Sequence, residues 1–214
     1  MRKIAIVLAL LSIAISGSAQ QESGSWSLTP RVGINTSKLS GWKVFTSMDA
    51  DAKAVKAERK WGLTAGAELE YQAWQQIGLS LGAYYSNEGY RYPFDLTGDN
   101  NDKATETLHW LNIPVLVNFY IEPKILKGLA LKAGVQLGYL LGARNKVDGT
   151  TTTTTSNYKR VNFSIPAGIS YTYHGFTADV LYNIGISNLC NVSALDESWR
   201  TNSLWITLGY KFAL

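Results

Sequence analysis

The chain has 214 residues, 46% hydrophobic, 12% aromatic and only 17% charged, with 19 glycines and a formal net charge of +4. That length suits one domain, and the low charge with high aromatic content excludes a disordered chain. A single cysteine, Cys190, excludes a disulfide-stapled scaffold and any multi-cysteine metal site, while the weak net charge gives no concentrated basic surface for nucleic acid.

Arg2 and Lys3 open a basic segment. An apolar run from Ile4 to Ile15 follows, broken only by Ser12, and then the small residues Ser16-Gly17-Ser18-Ala19. This order predicts a secretory signal peptide over residues 1–19, cleaved after Ala19, with a single domain over 20–214. The run is short for a spanning helix, and no cysteine follows it to accept a lipid. Without Arg2 and Lys3 the rest of the chain holds 18 basic and 16 acidic residues. Its longest nearly apolar run, Ile113 to Ile121, contains Pro114 and Asn118 and cannot cross a hydrocarbon core about 30 Å thick as a helix.

Eight stretches of about ten residues alternate in polarity with the period of two that marks a strand with unlike faces. The first carries Trp26, Leu28, Pro30, Val32 and Ile34 on one side. The second sets Trp61, Leu63, Ala65, Ala67, Leu69 and Tyr71 against Gly62, Thr64, Gly66, Glu68 and Glu70. The third sets Ile77, Leu79, Leu81, Ala83 and Tyr85 against Gly78, Ser80, Gly82, Tyr84 and Ser86. The fourth aligns Leu111, Ile113, Val115, Val117 and Phe119; the fifth sets Leu129 to Tyr139 at odd positions against Lys132, Gly134, Gln136 and Gly138. The sixth aligns Val161 to Tyr171 at odd positions against Arg160, Asn162, Ser164, Pro166 and Ser170. The seventh sets Phe176, Ala178, Val180, Tyr182 and Ile184 against Thr177, Asp179, Leu181 and Asn183, and the eighth sets Leu204 to Phe212 at even positions against Trp205, Thr207, Gly209 and Lys211. Pro30, Pro114 and Pro166 lack a ladder amide and are expected at bulges.

The connections after the first, third, fifth and seventh stretches are long (37–60, 87–106, 144–157 and 187–203), and the others are short. His174-Gly175 fits a two-residue hairpin. Long and short ends that alternate, with an even strand number, describe an all-β, eight-stranded antiparallel up-and-down transmembrane barrel of the bacterial outer membrane. Closure is a physical need, since lipid offers the backbone no partners. A soluble barrel of lipocalin type would show the same alternation with the apolar face turned inward. In the membrane reading, Tyr71, Phe119, Tyr171, Tyr173, Phe176, Tyr210 and Phe212 form the periplasmic aromatic rim, and Trp61, Tyr85, Trp110 and Phe163 the outer one. Arg31, Glu68, Glu70, Lys132, Arg160, Asp179 and Lys211 then share the lumen, which in eight strands is narrow enough for side chains to fill. They are expected to pair there as a structural polar network.

The segments WGLTAGAELEYQ from Trp61, IGLSLGAYYSNEGY from Ile77, LNIPVLVNFYI from Leu111, LKAGVQLGYLLGA from Leu131, ADVLYNIGISNL from Ala178 and ITLGYKF from Ile206 occur in an order that resembles the PorT-like outer-membrane β-barrel family. The LNIP, AGVQLGYLL and YNIGISNL segments carry most of the likeness, which spans the mature chain. It implies an eight-stranded outer-membrane barrel and, from the founding member, contact with proteins of a secretion complex. Gly209-Tyr210-Lys211-Phe212 resembles the last-strand signal that barrel assembly machinery reads, although Ala213 and Leu214 follow it.

Catalytic candidates are few. His109 is the one histidine at the outer end, but no nucleophile elbow, H-E-x-x-H or phosphate-binding glycine loop accompanies it, so the chain is read as no enzyme, without metal or cofactor. Asp95, Asp99, Asp102 and Glu106 miss the spacing of a calcium loop and are expected as a solvated acidic loop. Lys38, Lys43, Lys53, Lys56, Arg59 and Lys60 lie in the first long connection and are expected as a solvated basic loop, with contact to lipopolysaccharide phosphates as the alternative. Thr150 to Thr155 is expected as a low-complexity loop tip. The expected role is structural or surface-interacting, with a filled lumen, four long outer loops, and outer-membrane lipid, lipopolysaccharide and the assembly machinery as partners; a component of a secretion or assembly complex, a narrow pore and a lipid-modifying rim enzyme are the alternatives.

Overall fold

The computed structural model describes residues 22–41, 44–45, 54–55, 57–93, 103–121, 128–147, 149–191 and 198–214; the expected signal peptide lies outside them. Eight long strands carry the fold: β1 (Trp26–Ser40), β2 (Glu58–Trp74), β3 (Ile77–Pro93), β4 (Lys103–Tyr120), β5 (Leu129–Val147), β6 (Val161–Tyr173), β7 (Phe176–Gly185) and β8 (Arg200–Tyr210), which resumes as Phe212–Ala213 beyond Lys211. Each pairs antiparallel with its sequence neighbour, and β1 pairs β8 from Arg31↔Gly209 to Ser40↔Arg200, closing the cylinder.

The apolar face points outward. Val32, Leu63, Leu81, Val115, Val135, Ile169 and Leu208 are all exposed, whereas Glu68, Glu70, Lys132 and Asp179 are buried at 3% exposure or less. A soluble barrel with an apolar interior is thereby excluded. The same pleat that turns Val115 out turns Asn112 and Asn118 in. Trp26, Trp61, Phe119, Tyr171, Tyr173 and Phe176 stand exposed toward the two ends of the apolar band. Between β6 and β7 the hairpin turns through His174 (φ 48°) and Gly175 (φ 82°), a pair of left-handed residues that matches strand twist.

The three prolines do not make bulges. Each faces a partner on one side in unbroken register: Pro30↔Ala67, Pro114↔Gln136 and Pro166↔Asn183. On the other side the pairing lapses for two positions and resumes in the same register, as from Leu81↔Val115 to Tyr84↔Asn112 beside Pro114. A strand residue directs its amide to one neighbour only, so a missing amide opens one seam locally without inserting a residue. The register shifts fall elsewhere, at Arg59/Thr64 and Gln72/Trp74 between β2 and β3 and at His109/Trp110 between β4 and β5.

Strand also replaces much of the expected long loops. β2 to β5 run 17, 17, 18 and 19 residues, against 13 in β6 and 10 in β7, so the outer wall is tall on one side and short on the other. Thr150–Thr153, expected as a loop tip, is a strand paired with β5 from Val147↔Thr150 to Arg144↔Thr153. Its β-branched side chains suit a pleat, and Gly149 (φ 77°) supplies the turn. A 3-10 turn, Thr155–Asn157, then leads the chain back over the barrel mouth.

Candidate functional site: the lumen and the outer end

Inward-facing residues form layers along the axis. Nearest the short turns, Lys211 Nζ donates to Glu70 Oε1 (3.1 Å) and Tyr120 OH (2.8 Å), and Asn118 Nδ2 donates to Glu70 Oε2 (3.0 Å). Above it Arg31, Glu68, Lys132 and Asp179 form a ring of alternating sign. Arg31 lies 2.6 Å from Asp179 and 3.7 Å from Glu68; Lys132 lies 2.7 Å from Glu68 and 3.0 Å from Asp179. Each cation touches both anions, so the ring is neutral, and Thr177, Ser170 and Tyr84 hydroxyls bond its members. Desolvated charges are tolerable only in such an arrangement.

Tyr84 fills the next layer with Trp205, ring centroids 5.6 Å apart, and Leu181. Gly66 and Gly82 make its place, since a Cβ at either would stand 2.6 or 2.5 Å from the ring. Glu88 then accepts hydrogen bonds at Oε1 from Trp205 Nε1 (3.0 Å), Ser86 Oγ (3.2 Å) and Ser203 Oγ (3.2 Å).

Toward the outer end the interior becomes apolar. Leu39, Tyr90, Leu108, Trp110, Leu140 and Ala143 point inward from the strands. Tyr158, Leu189, Cys190 and Trp199 descend from the connecting segments to pack on them. Tyr90 and Tyr158 hydroxyls meet at 2.7 Å, and the backbone bridges Tyr158↔Cys190. Burial pushes both phenols well above the ordinary tyrosine range. Glu106 also faces inward, buried and bonded by Thr154 Oγ1; burial raises its carboxyl above the usual glutamate value.

Of the expected lumen residues, Arg31, Glu68, Lys132 and Asp179 meet in one group and Glu70 and Lys211 in the adjoining one. Arg160 does not join them. It is exposed, one residue before β6 begins, and its Nη1 donates to the Leu140 carbonyl at 3.1 Å. Alternation cannot place a residue beyond the end of its strand. Trp110, expected in the outer rim, is 1% exposed and lies inside, because its even position on β4 shares the face of Asn112. His109 faces outward, Nδ1 2.6 Å from the Tyr85 hydroxyl. Glu106 belongs to the interior rather than to an acidic loop, while Asp95, Asp99, Asp102, Lys43, Lys53 and Lys56 lie outside the described residues. Lys60 is buried; Lys38 and Arg59 are on the outer stretches of β1 and β2. Tyr84 and Trp205 are absent from the expected network because they carry no charge, and Glu88 because it fell in the expected 87–106 connection, where the strand in fact continues. Their even or odd positions in the alternation are the signal that places them.

A closed cylinder, oily outside and ion-paired within, is an integral β-barrel of the bacterial outer membrane. Residues 18–191 match the outer membrane protein beta-barrel domain family, and the chain belongs to it. Among solved structures it is similar to Neisserial surface protein A, at 13% identity over 87% of this chain and 97% of that one, with a TM-score of 0.50. It is also similar to Ail, the attachment invasion locus protein of Yersinia pestis (16%, 89% and 99%, TM-score 0.44), and OprG of Pseudomonas aeruginosa (15%, 92% and 99%, TM-score 0.45). At 13% identity the likeness to Neisserial surface protein A bears on the fold alone. No curated protein matches the sequence.

Proposed function

We propose that this protein is a plugged, non-catalytic barrel that holds a rigid outer end at the cell surface for contacts there, after export through a cleaved signal peptide and insertion by the barrel assembly machinery. The observation that carries this reading is the neutral ring of Arg31, Glu68, Lys132 and Asp179 across a lumen of only eight strands, overlain by Tyr84 and Trp205. Opening such a lumen separates buried charges, which is strongly unfavourable. The packed outer end points the same way: strands that run past the lipid and bury Leu108, Trp110 and Trp199 present a fixed surface rather than mobile tips. His109, hydrogen-bonded to Tyr85, supports a rim position rather than a general base.

Purified protein in planar bilayers tests it. No single-channel steps are expected from the unmodified chain, and stable conductance would overturn the plugged lumen. The ordered likeness of the LNIP, AGVQLGYLL and YNIGISNL segments to the PorT-like family favours a second reading, a place in a secretion or assembly complex. Co-purification from outer membranes of a defined stoichiometric partner would support it over a solitary surface role.

A further inference from the structure

We propose that the outward wall of β4, β5 and the Thr150–Thr153 strand binds the phosphate groups of the phosphorylated glycolipid of the outer leaflet. The inference rests on the reading that this end of the barrel faces the cell exterior. Cross-strand partners share a face, and register places two rows here: Thr105–Lys146–Thr151 and, below it, Thr107–Arg144–Thr153. A cation stands at the centre of each row with a threonine hydroxyl on either side. Arg144, Lys146, Thr151 and Thr153 are exposed, and Thr105 and Thr107 partly so.

Height fits the occupant. The uppermost outward apolar residue on β5 is Leu141, 49% exposed. Leu141 is the extra residue of a bulge, so Arg144 stands little more than two strand steps above it; at about 3.3 Å per step and a tilt of about 40°, that is about 5 to 6 Å along the membrane normal. The headgroup layer is about 5 to 7 Å thick on each side of the hydrocarbon, so the guanidinium stands at phosphate level and Lys146 in the sugar layer above. Guanidinium binds phosphate through paired hydrogen bonds, and the hydroxyls can serve phosphate or sugar.

Opposing charge is absent from the patch: among the described residues its outward positions hold no carboxylate, and Glu106, between Thr105 and Thr107, faces inward. Arg91 extends the upper row but stands opposite Glu58, so it is not counted as part of the site. The patch is also continuous with the lipid-facing band, since His109, Tyr85 and Leu111 lie directly beneath it. A molecule anchored by acyl chains in that leaflet brings its phosphates to this height without losing its anchor. That favours the glycolipid over a soluble anion.

The test uses the full-length protein in detergent micelles and fluorescent bisphosphorylated lipid A. Arg144→Gln with Lys146→Gln is expected to weaken retention about tenfold or more, in line with two juxtamembrane cations. Lys159→Gln with Arg200→Gln, two exposed cations outside the patch, should leave it unchanged. Arg144→Lys, which keeps the charge and loses the fork, should fall between. Unlabelled bisphosphorylated lipid A should displace the probe, and its dephosphorylated form and phosphatidylglycerol should not. Heat-modifiable migration confirms that each variant is folded. Equal retention by wild type and the Arg144/Lys146 variant, equal loss in the Lys159/Arg200 variant, or equal displacement by phosphatidylglycerol would overturn the site. Sidedness is read separately by maleimide labelling of Thr151→Cys on intact cells, in a Cys190→Ala background. No labelling would remove the surface reading and this inference together; labelling with unchanged lipid binding would remove this inference alone.

Discussion

Within the lipid-facing half and beyond it, the same strands obey opposite rules. On β4, positions 111, 113, 115, 117 and 119 turn Leu, Ile, Val, Val and Phe outward, with Asn112 and Asn118 inside. Above them positions 104, 108 and 110 turn Ala, Leu and Trp inward, with Thr105, Thr107 and His109 outside. The pleat continues without a change of phase on this strand; the solvent changes. Where acyl chains surround the cylinder, polarity is confined to the lumen and must neutralise itself there. Where water surrounds it, the interior packs like that of a soluble protein. The crossover at His109 thus marks the edge of the hydrocarbon layer on the strand itself.

The largest test of this contrast is the lumen ring. Lys132→Met leaves Glu68 and Asp179 sharing Arg31 alone and is expected to destabilise the barrel by about 3–5 kcal/mol. Adding Glu68→Gln, which restores neutrality, should recover most of the loss; urea unfolding in vesicles measures both. Next, Val115→Arg in the lipid-facing band should cost about 2–4 kcal/mol. Thr107→Arg, above the boundary on the same face of the same strand, should cost about 0.5 kcal/mol or less. Equal costs would break the comparison. Leu108→Ala should weaken the outer core locally by about 2–3 kcal/mol, seen as faster trypsin cleavage there with the barrel's own unfolding midpoint unmoved.

The smallest effect is a pH dependence. Because burial raises the Glu106 carboxyl, the folded outer end favours its protonated form. That contribution is fully present below the ordinary glutamate pKa and is lost as pH rises from there through the raised folded value. Protease resistance of the outer end should therefore fall across that interval, and Glu106→Gln should flatten the profile.

The lipid-facing half could be read from sequence because lipid enforces alternation on every strand, as at Trp61 to Tyr71. The outer end could not, because its alternation is inverted: Ala104-Thr105-Glu106-Thr107-Leu108-His109-Trp110 reads as a polar loop when apolar residues are sought at odd positions. Residue type alone puts Trp110 in the rim, whereas its even position sends it inside. On β5 the phase shifts as well. His109 faces Gly142 and Trp110 faces Leu140, so Leu141 is an extra residue, and Leu140 and Ala143 both point inward. Prolines in a strand suggest a distorted register, yet a missing amide affects only one seam. The ion pairs were legible as a set of charges on one face; their partners were not, since pairing depends on height along the axis, which strand tilt and stagger determine.

The unequal wall has a further meaning for anything that diffuses laterally in the leaflet. Along β3 to β5 it meets a parapet that rises well past the lipid, hydroxyl-rich and cationic. Along β6 and β7 the parapet is missing, and the segments joined by the Tyr158–Cys190 bridge cover the mouth instead. An eight-stranded cylinder, nearly round in cross-section, thereby acquires a front and a back, and encounters in the plane of the membrane can be oriented rather than random.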